Sequence, residues 1–222
     1  MFRFLVVEDE SVVLAQLQTM LGETFPHCEV ATASTVATGE SHIESGRQAG
    51  WAYDAAILDF KLPRYLGENP EVDSSLSRKI QELNLPTLVA HVTGFTGDQA
   101  VREHVRRSQV EQPNPRAFTL SKEDPNWASV LVSKLKTFLY GSRIERQLKD
   151  LFGMEAAGDT LLRRNAHRSN VARTDGGTTH RLAGLFRDIE AHWTDLDPGL
   201  QKRISDILEV DVSSGECRVS LL

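Results

Sequence analysis

Several side chains that could handle a charged group stand directly after apolar runs of the sequence. Glu8 and Asp9 follow "FLVV", and Asp59 follows "AAIL". Thr93 follows "LVAHV", and Lys122 follows "AFTLS". Carboxylates are rarely buried unless opposite charge or hydrogen bonds compensate them. If the apolar runs lie side by side, the acids need a cation between them.

The chemistry that suits this set is phosphoryl transfer. Mg²⁺ prefers a few carboxylates, a carbonyl and several waters as ligands. A lysine ammonium and a threonine hydroxyl beside the metal would neutralise and bind phosphoryl oxygens, while a carboxylate could serve as the nucleophile. The set therefore predicts a metal-assisted phosphoryl site, provided that the fold brings the segments together.

Short apolar runs alternate with helical patterns in the first part of the chain. Such alternation predicts a doubly wound α/β fold, with a five-stranded parallel sheet covered by helices on both faces. Chemistry collects at the carboxyl ends of the strands in such a sheet. Ser11 is expected to cap the first helix. The strands are predicted at 2–7, 28–34, 53–60, 86–94 and 116–122, and the helices at 11–23, 35–48, 74–84, 97–107 and 126–140.

Composition disfavours several classes of protein. The 222 residues suit one large domain, or an ordinary domain with a smaller one. The net charge of -6 disfavours bulk binding of nucleic acid. The two cysteines, Cys28 and Cys217, make neither a disulfide framework nor a zinc site. No apolar run is long enough for a signal peptide or a membrane span, so we expect a soluble, cytoplasmic protein.

Residues 1–140 resemble the receiver domain of two-component response regulators, the family of the chemotaxis receiver protein. Pro63 and Gly67 lie four and eight residues after Asp59, as in the family's usual D-x-x-x-P-x-x-x-G pattern. The other matching segments close predicted strands in the family's order. The four segments that carry the resemblance are "VVEDE" at 6–10, "ILDFKLP" at 57–63, "VTG" at 92–94 and "LSK" at 120–122.

The resemblance implies a flavodoxin-like fold with strand order 2-1-3-4-5 and a role as the response regulator of a phosphorelay. A sensor histidine kinase or a phosphotransfer protein would donate the phosphoryl group. The only catalysis implied is self-phosphorylation and autodephosphorylation. The resemblance makes Asp59 the phosphoacceptor and a metal ligand. It makes Asp9 a direct Mg²⁺ ligand, Glu8 a ligand through water and Lys61 a ligand through its backbone carbonyl. Thr93 would bind the phosphoryl oxygen and carry the signal, and Lys122 would pair with the phosphoryl group.

The chain departs from the family pattern where the signal is usually read. The family often has Tyr or Phe three residues before the lysine as part of a rotamer switch, but Thr119 stands there and Phe118 precedes it. In a regular strand, Phe118 would face the same side as Lys122, and Thr119 would face the other. A β-bulge could re-aim Phe118; without one, the aromatic half of this switch surface is missing. Long connections at 64–75 and 106–115 indicate unusual partners.

The rest of the sequence predicts a small α or α+β region. We expect residues 1–140 to form the receiver domain, 141–182 a connecting helix and linker, and 183–222 a small helical region with a terminal β-hairpin. Gly141 is expected to interrupt the preceding helix before a new helix at 142–152.

Patterns within this region predict its elements. Loops are expected around "EAAGD" and "ARTDGGTT", and a helix over 180–193. Asp197-Pro198 is a good helix start. Val210 and Val219 are expected to lie in the two strands of the hairpin. The apolar stripe of the 180–193 helix comprises Leu182, Leu185, Phe186 and Ile189.

The C-terminal region favours partner binding or homodimerisation as the output, through a partner that the sequence does not identify. Two helices and a hairpin resemble a reduced winged helix, but residues 183–222 carry more acidic than basic side chains. That balance disfavours contact with DNA phosphates, so a DNA-binding regulator is the alternative. His180 begins "HRLAG", similar to the H-x-L-K-G of histidine phosphotransfer domains, but Ala183 replaces the lysine. The region is also short for a four-helix bundle.

A phosphatase that uses an aspartate nucleophile on a doubly wound sheet is the rival from another class. Phosphatases of the haloacid-dehalogenase type need D-x-D after the first strand, whereas here the first strand ends Glu8-Asp9-Glu10. Lys61, two residues after Asp59, does not complete that pattern either. The sequence therefore disfavours this interpretation.

Overall fold

The predicted alternation of strands and helices is present. The structure is a computed structural model that describes residues 1–94, 97–106, 116–152, 176–213 and 216–221. In chain order the elements are β1 (Arg3–Val7), α1 (Ser11–Thr24), β2 (Glu29–Ala33), α2 (Val36–Gln48), β3 (Ala55–Leu58), β4 (Lys61–Leu62), β5 (Glu71–Val72), α3 (Ser75–Glu82), β6 (Leu88–Thr93), α4 (Gln99–Arg106), β7 (Ala117–Ser121), α5 (Trp127–Phe152), α6 (Gly176–His192), a 3₁₀ turn (Trp193–Asp195), α7 (Pro198–Ser205), β8 (Leu208–Asp211) and β9 (Arg218–Leu221).

The chain divides into two compact units, Met1–Leu135 and Lys136–Leu222. The division falls within α5, so this helix contributes residues to both. The first unit carries the sheet and the candidate site residues, and the second carries the elements of the C-terminal region. In the described residues, no helix is both long and apolar enough to cross a membrane.

The five long strands of the first unit form one parallel sheet in the order β2-β1-β3-β6-β7. Numbered within the sheet alone, this is the order 2-1-3-4-5, and it confirms the doubly wound, flavodoxin-like α/β fold that we expected. Every residue of β3 and β6 is buried. Central strands covered by helices on both faces lose their exposed side, which explains their uninterrupted apolar sequence.

The register brings the carboxyl ends of the strands to one edge. Val7 pairs with both Ala33 and Leu58, and Leu58 pairs with His91. Residues that directly follow β1 and β3 therefore leave the sheet side by side. This is the switch-point geometry in which open α/β sheets bind ligands.

The connection after β3 is more ordered than the predicted loop at 64–75. It contains β4 and β5, which pair antiparallel through Lys61–Val72 and Leu62–Glu71. The first amides of α2 donate to the carbonyls of Pro63 (3.0 Å) and Arg64 (3.2 Å). These amides would otherwise lack intrahelical partners, so the connection and the helix start stabilise each other. The second predicted loop, 106–115, lies beyond Arg106 outside the described residues.

The start of α1 differs by one residue from the prediction. Ser11 was expected to cap the helix, but it is the first helical residue, and Glu10 occupies the cap position with extended backbone angles. The Glu10 side chain makes no capping hydrogen bond. By contrast, Thr35 caps α2 by accepting a hydrogen bond from the Thr38 amide at 3.2 Å.

The second unit has the predicted two helices and hairpin. Leu182, Leu185 and Ile189 of α6 are buried. Asp197 caps α7 by accepting a hydrogen bond from the Leu200 amide at 3.0 Å, with Pro198 in the first turn. The hairpin is confirmed, and Val210 pairs with Val219.

The loop prediction for "ARTDGGTT" is wrong over its last residues, because α6 already begins at Gly176. Residues 153–175, with the rest of the predicted linker, lie outside the described residues. Helix propensity is a weak guide where tertiary packing decides, and the apolar stripe of α6 supplies that packing.

Gly141 does not interrupt α5, which runs without a break from Trp127 to Phe152. A glycine inside a helix costs only about 1 kcal/mol relative to alanine, and burial of Ile144 and Leu148 one turn and two turns later offsets this cost. A side chain added at Gly141 would meet Leu200 of α7 at 3.5 Å. A methyl group at this position would therefore make ordinary van der Waals contact with α7.

We expect Gly141→Ala to stabilise the second unit by about 0.5–1 kcal/mol, because the added methyl group has room and alanine restricts the unfolded backbone. Urea unfolding followed by circular dichroism would measure the change. Gly39→Ala is the contrasting variant, because its methyl group would lie 3.0 Å from Leu76 and 3.2 Å from Val7. It should lower stability through overpacking. A loss of stability in Gly141→Ala would contradict this view of the helix.

His192 ends α6 in a partly buried position against Tyr140 of α5. The two rings are stacked, with centroids 3.5 Å apart and planes inclined by 11°. Burial lowers the pKa of His192, although Asp195 and Asp188 favour its protonated form. Protonation is therefore less favourable in the folded chain than in the unfolded chain.

We expect the stability of the second unit to decrease on acidification below about pH 6.5, the ordinary pKa of histidine. Below that pH the unfolded chain binds more protons than the folded chain, so stability present at higher pH is lost as the pH falls through the lowered pKa of His192. His192→Phe keeps the ring contact and should weaken this dependence. Urea midpoints between pH 5 and 8 (roughly the range in which histidine titrates) measure it, with exposed His180→Gln as the control. Equal pH dependence in His192→Phe and the unmodified chain would contradict the assignment.

Candidate functional site

Two carboxylates leave neighbouring strands at the same edge of the sheet. Glu8 follows β1, and its amide donates to the carbonyl of Ala33 at 3.0 Å. Asp59 follows β3, and its amide donates to the carbonyl of Val7 at 3.0 Å. The ladder hydrogen bonds thus continue past the strand ends and fix the backbone of both acids. Both residues are buried.

Lys122 supplies the cation that these carboxylates require. Its ammonium donates to Glu8 Oε2 and to Asp59 Oδ2, at 2.7 Å in each case. The exposed fractions of the three side chains are 13% for Lys122 and 2% for each acid. The Lys122 amide donates to the carbonyl of Thr93 at 2.8 Å, so the end of β6 sets the backbone position of the lysine.

Asp59 is held through both carboxylate oxygens. Oδ1 accepts from the amides of Phe60 (2.6 Å) and Lys61 (3.3 Å), while Oδ2 contacts Lys122. Charge-assisted hydrogen bonds of this kind are short and strong. The backbone therefore fixes one oxygen of Asp59, and the Lys122 side chain holds the other.

Asp9 completes an acidic cluster that could hold a metal ion. One carboxylate oxygen from each of Glu8, Asp9 and Asp59 lies within 4.8 Å of the other two. Hard divalent cations such as Mg²⁺ bind oxygen ligands of this type, so the residues present fit such an ion. The side chain of Lys61 points to a different partner, Asp98, with Nζ 3.0 Å from Oδ2.

Burial and like charge raise the pKa values of two of the acids. Burial raises the pKa of Glu8 to about 7, with a further increase from the charge of Asp59, against the hydrogen bond from Lys122. Burial also raises the pKa of Asp9, and the charges of Asp59 and Glu10 add to the effect. Burial opposes the charged form of Lys122, but its hydrogen bonds to Asp59 and Glu8 outweigh this and raise its pKa. The cluster therefore favours any additional positive charge.

Thr93 and the predicted switch surface lie on the neighbouring strands. Thr93 is the last residue of β6 and is fully buried. The pairing of β6 with β7 is regular from Val89–Ala117 to Thr93–Ser121, so no bulge re-aims Phe118. The Lys134 ammonium lies 5.2 Å from the centre of the half-buried Phe118 ring.

Thr119 stands in register with His91 of β6. The aromatic residue expected by resemblance at this position is therefore replaced by a threonine beside a histidine. The structure brings Glu8, Asp9, Asp59 and Lys122 together and leaves Phe118 engaged by Lys134. Thr119 itself pairs with His91 in a regular ladder.

A contact that the sequence did not predict joins Phe60, the residue after Asp59, to His91 of β6. The rings of Phe60 and His91 are stacked, with centroids 4.3 Å apart and planes inclined by 11°. Phe60 is fully buried and His91 is 5% exposed. The sequence signal was the single polar residue inside the apolar run "LVAHV". Its partner could not be identified, because the contact joins segments that are distant in the chain.

No protein-family model matches the chain, and no curated protein sequence matches it. Solved structures similar to this one include response regulator receiver domains. One from Clostridium thermocellum is 21% identical with a TM-score of 0.47, covering 65% of this chain and 99% of that chain. A CheY-like receiver protein from Methanospirillum hungatei is 22% identical with a TM-score of 0.46, covering 68% and 98%. A LuxR-family DNA-binding response regulator from Staphylococcus aureus is 17% identical with a TM-score of 0.44, covering 62% and 98%.

We expect Lys122→Met to destabilise the first unit by about 3 kcal/mol in EDTA, because it leaves two buried carboxylates without their cation. A second substitution, Glu8→Gln, should restore part of the loss by removing one of the two charges. Urea unfolding of the single and double variants measures both effects. Lys134→Met, which removes an exposed ammonium from the same unit, is the control. A loss in Lys122→Met no larger than in this control would contradict the role of the ion pairs.

Proposed function

We propose that the chain is a response regulator whose first unit accepts a phosphoryl group on Asp59. The observation that carries the proposal is the pair of hydrogen bonds from the Lys122 ammonium to Glu8 and Asp59 at the carboxyl edge of the sheet. Asp9 beside this pair adds the third acid of a metal site. A surface ion pair would have no need of such burial or of convergent acids.

The proposed reaction is attack by Asp59 on a phosphohistidine of a donor protein. Oδ2 attacks phosphorus, the new O–P bond forms as the P–N bond breaks, and the leaving imidazole nitrogen keeps the electron pair and takes a proton from solvent. Oδ1 stays on the amides of Phe60 and Lys61, which keeps the carboxylate oriented. Orientation of this kind is a large part of phosphoryl-transfer catalysis.

The cation chemistry is divided between the protein and Mg²⁺. When bound, Mg²⁺ would supply positive charge that neutralises the phosphoryl oxygens. Asp9 and Asp59 would hold it directly, Glu8 through water, and Lys61 through its backbone carbonyl. The Lys122 ammonium already contacts Oδ2, so it would pair with the phosphoryl group that forms on this oxygen. Thr93, the last residue of β6, would bind a phosphoryl oxygen and carry the resulting conformational change along this strand.

The partners follow from this chemistry. A sensor histidine kinase or a phosphotransfer protein would donate the phosphoryl group in the cytoplasm. Residues 1–140 would form the receiver domain, 141–182 a connecting helix and linker, and 183–222 the small region that carries the output. Phosphorylation would alter protein–protein contact or dimerisation through that region.

DNA binding is not favoured as the output. Three arginines of the second unit have acidic partners: Arg143 lies 3.0 Å from Asp188, Arg203 pairs with Glu145, and Arg218 lies 3.6 Å from Glu216. Cations engaged in this way are less available to phosphates, and acidic residues outnumber basic ones over 183–222. The rival phosphatase lacks its second aspartate, since the first strand is followed by Glu8-Asp9-Glu10.

We expect incubation with Mg²⁺ and phosphoramidate to add the mass of one phosphoryl group to the intact chain. Asp59→Asn should abolish the adduct, because the nucleophilic carboxylate is gone, and Asp9→Asn should slow its formation by weakening the metal site. Intact-mass spectrometry measures the adduct over time.

The matched control for this experiment is Asp54→Asn. Asp54 precedes the same strand and accepts a hydrogen bond from the Arg3 amide, at the end opposite the site. Its variant should be phosphorylated like the unmodified chain. Absence of an adduct on the unmodified chain, or an undiminished adduct on Asp59→Asn, would overturn the proposed function.

A further inference from the structure

We infer that His91 and Phe60 are positioning residues for Asp59: the stacked rings hold the backbone amide that fixes one carboxylate oxygen of the acid. The inference rests on the proposed function of Asp59, because positioning matters only if this carboxylate reacts. It assigns a role to a buried histidine of β6 and to the ring of the residue that follows Asp59.

The first step is the hydrogen bond from the Phe60 amide to Asp59 Oδ1, which at 2.6 Å is shorter than a usual N–H···O bond. The carboxylate plane is therefore sensitive to the position of this amide. The Phe60 carbonyl also accepts a hydrogen bond, from the Asp73 amide at 2.9 Å. The backbone of Phe60 is thus held on its carbonyl side by the segment that leads into α3.

The second step is the ring of Phe60, which is held by His91. The stacking distance of 4.3 Å and the small inclination of 11° place the rings face to face. Both are buried, so neither ring can turn into solvent without losing this contact and exposing apolar surface. A change in the Phe60 side chain would move its backbone and hence the amide at Asp59.

The third step is the position of His91 itself. It pairs with Leu58 of β3 and with Thr119 of β7, so strands on both sides fix its backbone. A residue in the middle of a central strand is among the most rigid points of such a sheet. His91 therefore couples the carboxylate to the sheet by a route separate from the ladder hydrogen bond of the Asp59 amide.

This arrangement predicts effects on orientation that a merely space-filling role would not produce. If the stack positions the amide, its loss should lengthen the hydrogen bond to Oδ1 and reduce the rate of phosphoryl transfer at saturating donor. The dependence of the rate on donor concentration should change little, because both rings are buried. Misplaced reacting groups lower rates even when binding persists.

The experiment compares His91→Leu, which removes the ring, with His91→Phe, which keeps a planar ring of similar size. In the full chain without metal, the proton resonance of the Phe60 amide reports the short hydrogen bond directly. We expect His91→Leu to move this resonance upfield and to lower the maximal rate with phosphoramidate by about tenfold. We expect His91→Phe to restore both. Phe60→Leu, which removes the other ring, should lower the rate in the same way.

Val89→Ala is the matched control, because Val89 is buried two residues before His91 and on the same side of β6. It loosens the core on this side of β6 and leaves both rings of the stack in place, so the Phe60 resonance and the rate should stay close to those of the unmodified chain. The inference is overturned if His91→Leu behaves like the unmodified chain in either measurement, or if Val89→Ala shifts both equally.

The failure of this inference and of the proposed function can be told apart. An unmodified chain that takes no phosphoryl group would refute the function of Asp59, while the Phe60 resonance would still show whether His91 positions the amide. A chain that is phosphorylated at Asp59 with the same rate in His91→Leu would refute only the positioning role. His91→Met provides a second ring-free variant should the leucine variant unfold.

Discussion

The ammonium group of Lys122 lies between the carboxylates of Glu8 and Asp59, and all three side chains are almost removed from solvent. Two like charges at this depth would repel each other and favour protonation. One cation balances only part of the negative charge once Asp9 is included. The site therefore has a built-in preference for further positive charge, and this imbalance links the lysine to the proposed metal site and the proposed phosphoryl chemistry.

This electrostatic arrangement depends on the register of the sheet. Glu8 and Asp59 approach each other because Val7 pairs with Leu58, and Lys122 reaches them because its amide is fixed by Thr93. A slip of one residue in any of these strands would turn the side chains to the opposite face. The buried apolar strands β3 and β6 therefore contribute to the site through alignment as much as through stability.

Local sequence was sufficient for the features that repeat along the chain, such as the strands, the acids at their ends and the Asp197 cap of α7. It was insufficient where a distant residue decides. Gly141 continues its helix because Ile144 and Leu148 are buried beyond it, and the sequence around the glycine does not show what covers them. The stack of Phe60 on His91 and the pairing of β4 with β5 are equally non-local.

The short ladder of β4 and β5 closes the base of the connection after Asp59, and the carbonyls of Pro63 and Arg64 are tied to the start of α2. The segment between these anchors is open to solvent, with Leu66 almost fully exposed. The entropic cost of a longer loop grows only slowly with its length. Insertions could therefore accumulate there over evolution and diversify recognition, while the geometry around Asp59 stayed unchanged.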